Sequence, residues 1–388
     1  MGVADWIAGV GTRRVHVLVI ETPGSSLLRM RAQAAIAARG WVEATSPADA
    51  DALLVCGQPI GPLPDLIDAV WEQIPSPRHR VTLTQSGTLA EFLDGIPVAL
   101  RDERVQRADA RDRPRHRPML PVEGMPEMTT VDMRDLPEKH HSGTETETPV
   151  KNGSMHKDGP DKISSSDSEM DMDMDMDMSG PAGIPLAEGS QDRDDLEMDA
   201  THLTLGPILT AWPADLVLHC ILHGDVVTDA RVERLVHGAP PTEQPATAAR
   251  LCDAAARLLS IVGWDPVARQ ADRLRNDIVS GVAPRDVSRR LIHLTGRIRR
   301  SRTLRWSLAG IQAPGAESAR ERLLSWLLTA QESLTAHEGR PSQVLADGLA
   351  VSEADIQRAV LGQELATVRL IVASMGAGTS RMGEAGHE

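Results

Sequence analysis

An acidic, methionine-rich segment divides this chain and limits how it can fold. Residues 123–199 carry 21 Asp and Glu against 6 Lys and Arg, a net charge of −15. The segment is also rich in Pro, Gly and Ser, and a composition of this kind cannot bury enough apolar surface to fold alone. The whole chain of 388 residues has a net charge of −14, so the remainder is nearly neutral. We therefore predict two folded regions joined by a disordered acidic linker.

The first region alternates strand patterns with helix patterns. Apolar, largely β-branched runs that stop at Gly or Pro predict strands at 15–20 and 52–56, with a third at 80–83. Helical periodicity at 26–38 and 63–73 lies between them. This order predicts a parallel sheet covered by helices, with sites beyond the carboxyl ends of its strands. The loop after the first strand contains neither G-x-G-x-x-G nor G-x-x-x-x-G-K, so it is not a phosphate-binding fingerprint.

The second region begins near His202 with a predicted β-hairpin around Gly224 and continues as helices. One helix is predicted from Asp265 to Gly281, and others follow from Pro284, at 316–336 and at 352–373. The predicted fold class is a flavodoxin-like parallel-sheet α/β domain, a disordered acidic Met-rich insert, and an α+β region with a small antiparallel sheet and a helical bundle. The predicted boundaries are 1–100 for the α/β domain, 101–200 for the linker, 201–240 for the β region and 241–388 for the bundle.

Two stretches resemble subunits of known redox complexes. Residues 50–57 (ADALLVCG) and 69–78 (AVWEQIPSPR) resemble the small, cluster-bearing subunit shared by respiratory complex I and NiFe hydrogenases, with its strand ending in Gly and its M-P-x-P-R turn. The LGP at 205–207, followed by LVL at 216–218 and GDVV at 224–227, resembles the start of the large quinone-site subunit of complex I. The resemblance implies a degenerate fusion of the two subunits.

The positions that carry redox chemistry in those subunits hold other residues here. Gly24-Ser25-Ser26 occupies the loop in which the small subunit has a pair of cluster-binding cysteines, and Ser86 aligns with a later one. Leu209-Thr210 replaces the large subunit's His-Pro, and the chain has no Tyr to bind a quinone. Three unclustered cysteines also exclude a Cys₄ zinc site, a self-sufficient iron–sulfur cluster and the paired C-x-x-C motifs of a nickel site.

We therefore predict a non-catalytic accessory or scaffold subunit of a complex-I-like or hydrogenase-like oxidoreductase assembly. No residue is assigned a catalytic, cofactor-binding or metal-binding role, and no cofactor is expected. The expected partners are protein subunits of a membrane-associated redox complex, with no nucleic acid and with membrane contact through those partners alone. The expected location is cytoplasmic, at the cytoplasmic face of the membrane, since no signal peptide or apolar membrane span is evident.

Two other functions remain open at this point. The first is an oxidoreductase subunit, of the NADH:quinone or hydrogenase type, that completes its redox site with a partner chain. The second is a metal-binding protein that uses the Met–Asp repeat at 169–178, with His140, His141 and His156 as further ligands, since thioethers suit Cu(I). The sequence also leaves open whether the two folded regions pack on each other, as the subunits that they resemble do.

Several other residue groups favour structural roles. His219 and His223 are four residues apart on a predicted strand, roughly 13 Å, which is too far to share one ion, and Cys220 faces the other way. Cys56 is interpreted as a buried structural thiol. The tryptophans of the helical part are interpreted as core anchors: Trp264, Trp306 and Trp326.

The helical part is rich in arginine. Residues 250–340 carry 16 Arg against 9 Asp and Glu. We expect these arginines to contact the chain's own insert, an acidic partner subunit or lipid head groups rather than DNA.

Overall fold

The computed structural model describes residues 14–113, 188–191, 197–235, 243–314, 318–335 and 351–376. The described residues on both sides of the acidic segment belong to one compact unit. The Met–Asp repeat and the three histidines that precede it lie outside the described residues, as does most of the predicted linker.

The N-terminal part is a parallel sheet with helices, as predicted. Its elements in chain order are β1 (His16–Glu21), α1 (Ser26–Ala38), β2 (Val42–Glu43), β3 (Ala52–Cys56), α2 (Leu63–Gln73), β4 (His79–Leu83), α3 (Leu89–Arg101) and α4 (Glu103–Asp112). The strands lie in the order β2-β1-β3-β4, and all three pairings are parallel. All five residues of β3 are buried, because the strand has a neighbour on each edge and cover on each face.

The two faces of this sheet bury different partners. Ala52, Leu54 and Cys56 of β3 pack with residues of α1 and α3. The alternate residues Leu53 and Val55 face the other way and pack with α2. That second cluster also contains Val217 and Leu235, which come from beyond the acidic segment. The two folded regions therefore share an apolar core.

Helix α4 extends the N-terminal part beyond its predicted end. The Gln106 side chain accepts a hydrogen bond from the Arg78 backbone N–H at 2.9 Å and donates one to the Arg78 carbonyl at 3.0 Å. The buried Arg78 guanidinium contacts Asp109 Oδ2 at 2.8 Å and lies 4.0 Å from the centroid of the Trp71 ring. These contacts fix residues 103–112, which lie inside the range predicted as linker.

The second part begins with an antiparallel sheet in the order β5-β6-β7-β8. Its strands are β5 (Glu188–Gln191), β6 (Glu197–Leu205), β7 (Leu216–His223) and β8 (Val226–Arg234). The β7–β8 turn contains Gly224 at φ +63°, which confirms the predicted hairpin. Strand β5 and the first four residues of β6 lie in the C-terminal end of the range 101–200, so regular structure also begins earlier than predicted.

Seven described helices follow the sheet. They are α5 (Thr247–Ile261), α6 (Asp265–Val279), α7 (Pro284–Arg300), α8 (Arg302–Ser307), α9 (Ala319–Thr335), α10 (Glu353–Val360) and α11 (Leu365–Ser374). The alanine-rich α5 lies at the centre and packs against α6, α9 and α11. Among the described residues, no helix combines the length and apolarity that a membrane crossing requires.

The single helix predicted at 352–373 is wrong, because the chain is interrupted between α10 and α11. Gly362 adopts φ +74°, which ends a right-handed helix. Its backbone N–H donates to the Val227 carbonyl at 2.8 Å, and the Val227 N–H donates to the Gln363 carbonyl at 3.0 Å. The interruption therefore pairs with the edge of β8, a long-range contact that helical periodicity does not encode.

Candidate functional site

A buried group of arginines and carboxylates lies where the carboxyl end of β1 meets the helical part. We call it the arginine–carboxylate network, and it consists of Glu21 on β1, Arg29 on α1, Asp253 and Arg257 on α5, and Arg275 on α6. It occupies the edge at which a parallel sheet places its sites.

Asp253 is the centre of the network and is fully buried, at 0 % exposure. Its Oδ2 atom lies 2.7 Å from Arg29 Nη2 and 3.0 Å from Arg257 Nε. Its Oδ1 atom lies 2.7 Å from Arg275 Nη1. Three guanidinium groups from three helices therefore converge on one carboxylate.

Glu21 closes the network from the side of the sheet. Its Oε2 atom lies 2.6 Å from Arg29 Nε and 2.8 Å from Arg257 Nη2. Arg29 and Arg257 therefore each bridge Glu21 and Asp253, one from each folded region. Arg257 also donates from Nη1 to the Trp212 carbonyl at 3.0 Å.

Outer contacts use the remaining donors. Arg29 Nη1 donates to Gln33 Oε1, and Gln33 donates in turn to Glu43 Oε1 at 2.5 Å. Arg275 Nη1 lies 2.9 Å from Asp272 Oδ1, and Arg275 Nη2 donates to Asn276 Oδ1 at 2.9 Å. The network thus continues outward through neutral amides.

Each arginine at the junction contacts at least one carboxylate directly. Arg29, Arg257 and Arg275 face the carboxylates of Glu21, Asp253 and Asp272. Burial alone would raise the pKa of Asp253, but the three arginines outweigh that effect and hold the pKa well below its usual range. Burial alone would lower the pKa of Arg29, but Asp253 and Glu21 outweigh it and raise that pKa. Both groups therefore stay ionised.

None of these five residues was predicted from the sequence as part of a site. Asp253 stands within an apolar run of α5, LCDAAARLL at 251–259, and a charged residue on a buried helix face is a signal in itself. Arg29 and Gln33 likewise stand on the buried face of α1, four residues apart. The pairs Arg29–Asp253 and Glu21–Arg257 join residues that are 224 and 236 positions apart, so the sequence alone does not pair them.

The network joins the two folded regions and offers no reactive group. Both oxygens of Asp253 are paired, and no atom of the five residues is a buried polar atom without a partner. An acid, base or nucleophile needs a free position toward a substrate. The arrangement can fasten two parts of a chain together, and its geometry supplies no further chemistry.

The neighbouring loop does not fit an iron–sulfur cluster. Ser25 Oγ lies 3.1 Å from Thr22 Oγ1, which itself donates to the Cys56 carbonyl at 3.1 Å. Gly57, at φ +100°, packs so closely that a Cβ there would lie 2.0 Å from Ser25 Oγ. The loop is therefore packed against the end of β3, and Gly24-Ser25-Ser26 supplies no thiolate. Ser86 begins a short 3₁₀ turn after β4.

All three cysteines are buried and free. Cys56 packs in the apolar core beneath α1 and α3, and burial raises its pKa, which confirms its interpretation as a buried thiol. Burial also raises the pKa of Cys220 to about 11 and that of Cys252 to about 12. None of the three has the lowered pKa of a reactive thiol.

The histidines of β7 lie on the opposite face from Cys220, as predicted. His219 Nε2 lies 3.1 Å from Glu233 Oε2, and its Nδ1 lies 3.2 Å from Thr204 Oγ1. Within the described part of the chain, no three His, Cys, Asp or Glu side chains form a group that could hold a metal ion.

The loop that resembles the large subunit contacts the N-terminal part. Gly206, at φ +88°, lies against Trp212, whose Nε1 donates to the Leu216 carbonyl at 2.8 Å. Thr210 Oγ1 donates to the Thr45 carbonyl at 3.4 Å, while Leu209 is exposed. The loop therefore lies at the junction of the two folded regions.

One of the three tryptophan predictions is wrong. Trp326 is buried in the helical core, and Trp264 is half-buried with the Arg297 guanidinium 5.4 Å from its ring centroid. Trp306 is 81 % exposed, because α8 turns this side chain outward while Leu304 faces the core.

Comparisons with protein-family models, with curated proteins and with solved structures gave no match. Function is therefore inferred from the residues and their geometry.

Proposed function

We propose that this protein is a non-catalytic accessory or scaffold subunit of a complex-I-like or hydrogenase-like oxidoreductase assembly. The observation that carries the proposal is the arginine–carboxylate network. It lies beside the loop at which the resembling small subunit binds its cluster, and it fills that junction with mutually paired side chains.

The packing of the two regions supports the same proposal. The regions that resemble a small and a large subunit contact each other through a shared apolar cluster and through the hydrogen bond from Thr210 to the Thr45 carbonyl. A fused chain of this kind keeps the contact between the two subunits but lacks their ligand residues. It therefore retains a surface for assembly with other subunits. We further propose a flavodoxin-like relationship for the N-terminal sheet, since its order β2-β1-β3-β4 follows the order 2-1-3-4 of that fold.

The proposal predicts protein partners in a membrane-associated redox complex, at the cytoplasmic face. The test is native gel electrophoresis of gently solubilised membranes, followed by identification of the subunits that migrate with the tagged full-length chain. We expect the chain to migrate in a large complex together with cluster-bearing subunits. A chain that migrates entirely as a free monomer, in lysate and in membranes, would contradict the proposal.

A further inference from the structure

Helices α7 and α8 present an exposed basic face. Between Arg285 and Arg305 the chain has eight arginines and one aspartate. The buried stripe of α7 packs into the helical core and consists of Val287, Leu291, Leu294 and Ile298. The opposite side of α7 and the outer side of α8 are exposed. We call this surface the arginine face, and it consists of Arg285, Arg289, Ile292, Arg299, Arg300, Arg302, Arg305 and Trp306.

The six arginines of this face have no carboxylate partner among the described residues. The other two arginines of the range lie beside the face, where Arg290 pairs with Asp277 and Arg297 covers the Trp264 ring. Apolar surface accompanies the charge, since Ile292 is 56 % exposed and Trp306 is 81 % exposed. The face therefore combines unneutralised guanidinium groups with two large exposed apolar side chains.

The face is long and its residues share one side of α7. The helix has 17 residues, which corresponds to a length of about 25 Å. Arg285, Arg289 and Ile292 follow each other at spacings of four and three residues, which places them on the same side. Arg299 and Arg300 continue that side to the end of the helix. Clusters of about four to eight basic residues on a helix are typical of sites for anionic lipids.

An anionic membrane surface offers both kinds of contact from one direction. Head-group phosphates accept paired hydrogen bonds from guanidinium groups. Tryptophan is enriched at membrane–water interfaces, where its ring is in apolar surroundings and its N–H stays close to water. Lipids also move laterally, so their head groups adapt to the positions of the arginines.

Other anionic partners match less of the face. Duplex DNA offers a row of phosphates, but its backbone has no apolar surface for Ile292. A folded acidic protein must place its carboxylates opposite the individual arginines. The combination of charge and exposed apolar side chains therefore favours lipid.

We infer that the arginine face is a docking surface for an anionic phospholipid membrane. The arginines bind head-group phosphates, and Ile292 and Trp306 enter the interface beneath them. This contact is direct, whereas the expectation from the sequence was membrane contact through partner subunits alone. The inference does not depend on the proposed scaffold function, because the face needs no other subunit to bind lipid.

The test is flotation of the purified full-length chain with lipid vesicles in a density gradient at low salt. The anionic vesicles contain phosphatidylcholine and phosphatidylglycerol in a ratio of about two to one, and the control vesicles contain phosphatidylcholine alone. We expect the chain to float with the anionic vesicles and not with the neutral ones. We expect about 0.5 M salt to weaken the binding, since it screens the attraction.

Two arginine variants locate the binding. Each arginine near an anionic surface strengthens binding by about fivefold, so we expect R289Q with R300Q to weaken it at least about tenfold. The matched control is R104Q with R111Q, two exposed arginines of α4, where basic and acidic residues are equal in number. This control should leave binding within about twofold of the wild type. Circular dichroism verifies that each variant is folded.

A tryptophan variant tests the contact with the apolar part of the membrane. Trp306 is the one exposed tryptophan among the described residues. Brominated phosphatidylcholine in the anionic vesicles quenches the fluorescence of tryptophan that reaches the interface. We expect W306F to float like the wild type but to lose at least about half of the quenching, because Phe keeps the apolar ring and removes the indole.

Four outcomes would overturn the inference. The first is no preference for anionic over neutral vesicles, including no binding to either. The second is binding that R289Q with R300Q leaves unchanged, and the third is quenching that W306F leaves unchanged. The fourth is tighter binding, at the same salt, to a fluorescein-labelled DNA duplex than to the anionic vesicles, which would assign the face to nucleic acid.

Discussion

Asp253 shows how a single buried carboxylate can depend on its surroundings. Removing an ion from water costs several kcal/mol, and three arginines together offset that cost here. The arginines depend on Asp253 in turn, because Arg29 and Arg275 are themselves almost completely buried. The sequence pattern marks Asp253 as an unusual charged residue in an apolar helix. It does not identify the arginines that neutralise this carboxylate.

The substitution Asp253→Asn tests this dependence. It leaves three arginines sharing a neutral amide, so we expect the free energy of unfolding to fall by about 3–5 kcal/mol. Urea denaturation followed by circular dichroism measures the change. Asp229→Asn, on an exposed strand position, is the control and should change stability by less than about 0.5 kcal/mol. Equal effects of the two substitutions would mean that the stability of the chain does not depend on the Asp253 carboxylate.

The pH dependence of the free energy of unfolding provides a second test of the contribution of Asp253. The pKa of Asp253 is lowered in the folded protein, so its contribution is present above the unfolded pKa of about 3.9 and is lost as the pH falls below it toward the folded pKa. We expect the free energy of unfolding of the wild-type chain to fall steeply below about pH 5, with a shallower fall for Asp253→Asn. Urea denaturation at pH 3 to 7 measures both slopes, and equal slopes would contradict the assignment.

The three thiols provide a second residue-level test. Burial raises the pKa of each cysteine and shields it from reagents. We expect Ellman's reagent at pH 8 to modify none of the three within minutes in the folded chain, and all three in denaturant. Rapid modification of one cysteine in the folded chain would identify an accessible, reactive thiol.

At the scale of elements, the sequence predicts the strands and turns whose formation depends on residues close together in the chain. The buried run of β3 and the hairpin at Gly224 were readable because apolar runs and turn residues act over a few positions. The interruption at Gly362 was not, because it pairs with Val227 of β8. Helix α4 was not predicted either, since its polar sequence resembles the linker and its order comes from contacts with Arg78.

The anchoring of α4 can be tested by truncating its two contacting side chains. We expect Gln106→Ala with Asp109→Ala to lower the free energy of unfolding by about 2–5 kcal/mol, because the buried Arg78 loses Asp109 and its backbone groups lose Gln106, which leaves Glu72 and Trp71 as its remaining contacts. Arg107→Ala, which removes an exposed pair with Glu103, is the control and should cost less than about 0.5 kcal/mol. Urea denaturation compares the two. A double variant as stable as the control would show that α4 does not depend on Arg78.

At the scale of the whole molecule, the acidic segment does not separate the folded parts in space. Ile20 and Val55 share an apolar cluster with Val217 and Leu235, and Glu21 and Arg29 share the arginine–carboxylate network with α5 and α6. The composition of the sequence predicted two folded regions but left their packing open. The structure joins them at the edge where a parallel sheet places its sites, and it fills that edge with paired charges.

The proposed scaffold function can be tested by the iron and nickel content per chain, measured on the affinity-purified complex from native membranes and on the isolated full-length chain. We expect iron to accompany the partner subunits, and neither metal to exceed background on the isolated chain. Stoichiometric iron or nickel on the isolated chain would contradict the proposed function, since the junction of the two folded regions would then serve a metal site rather than a scaffold.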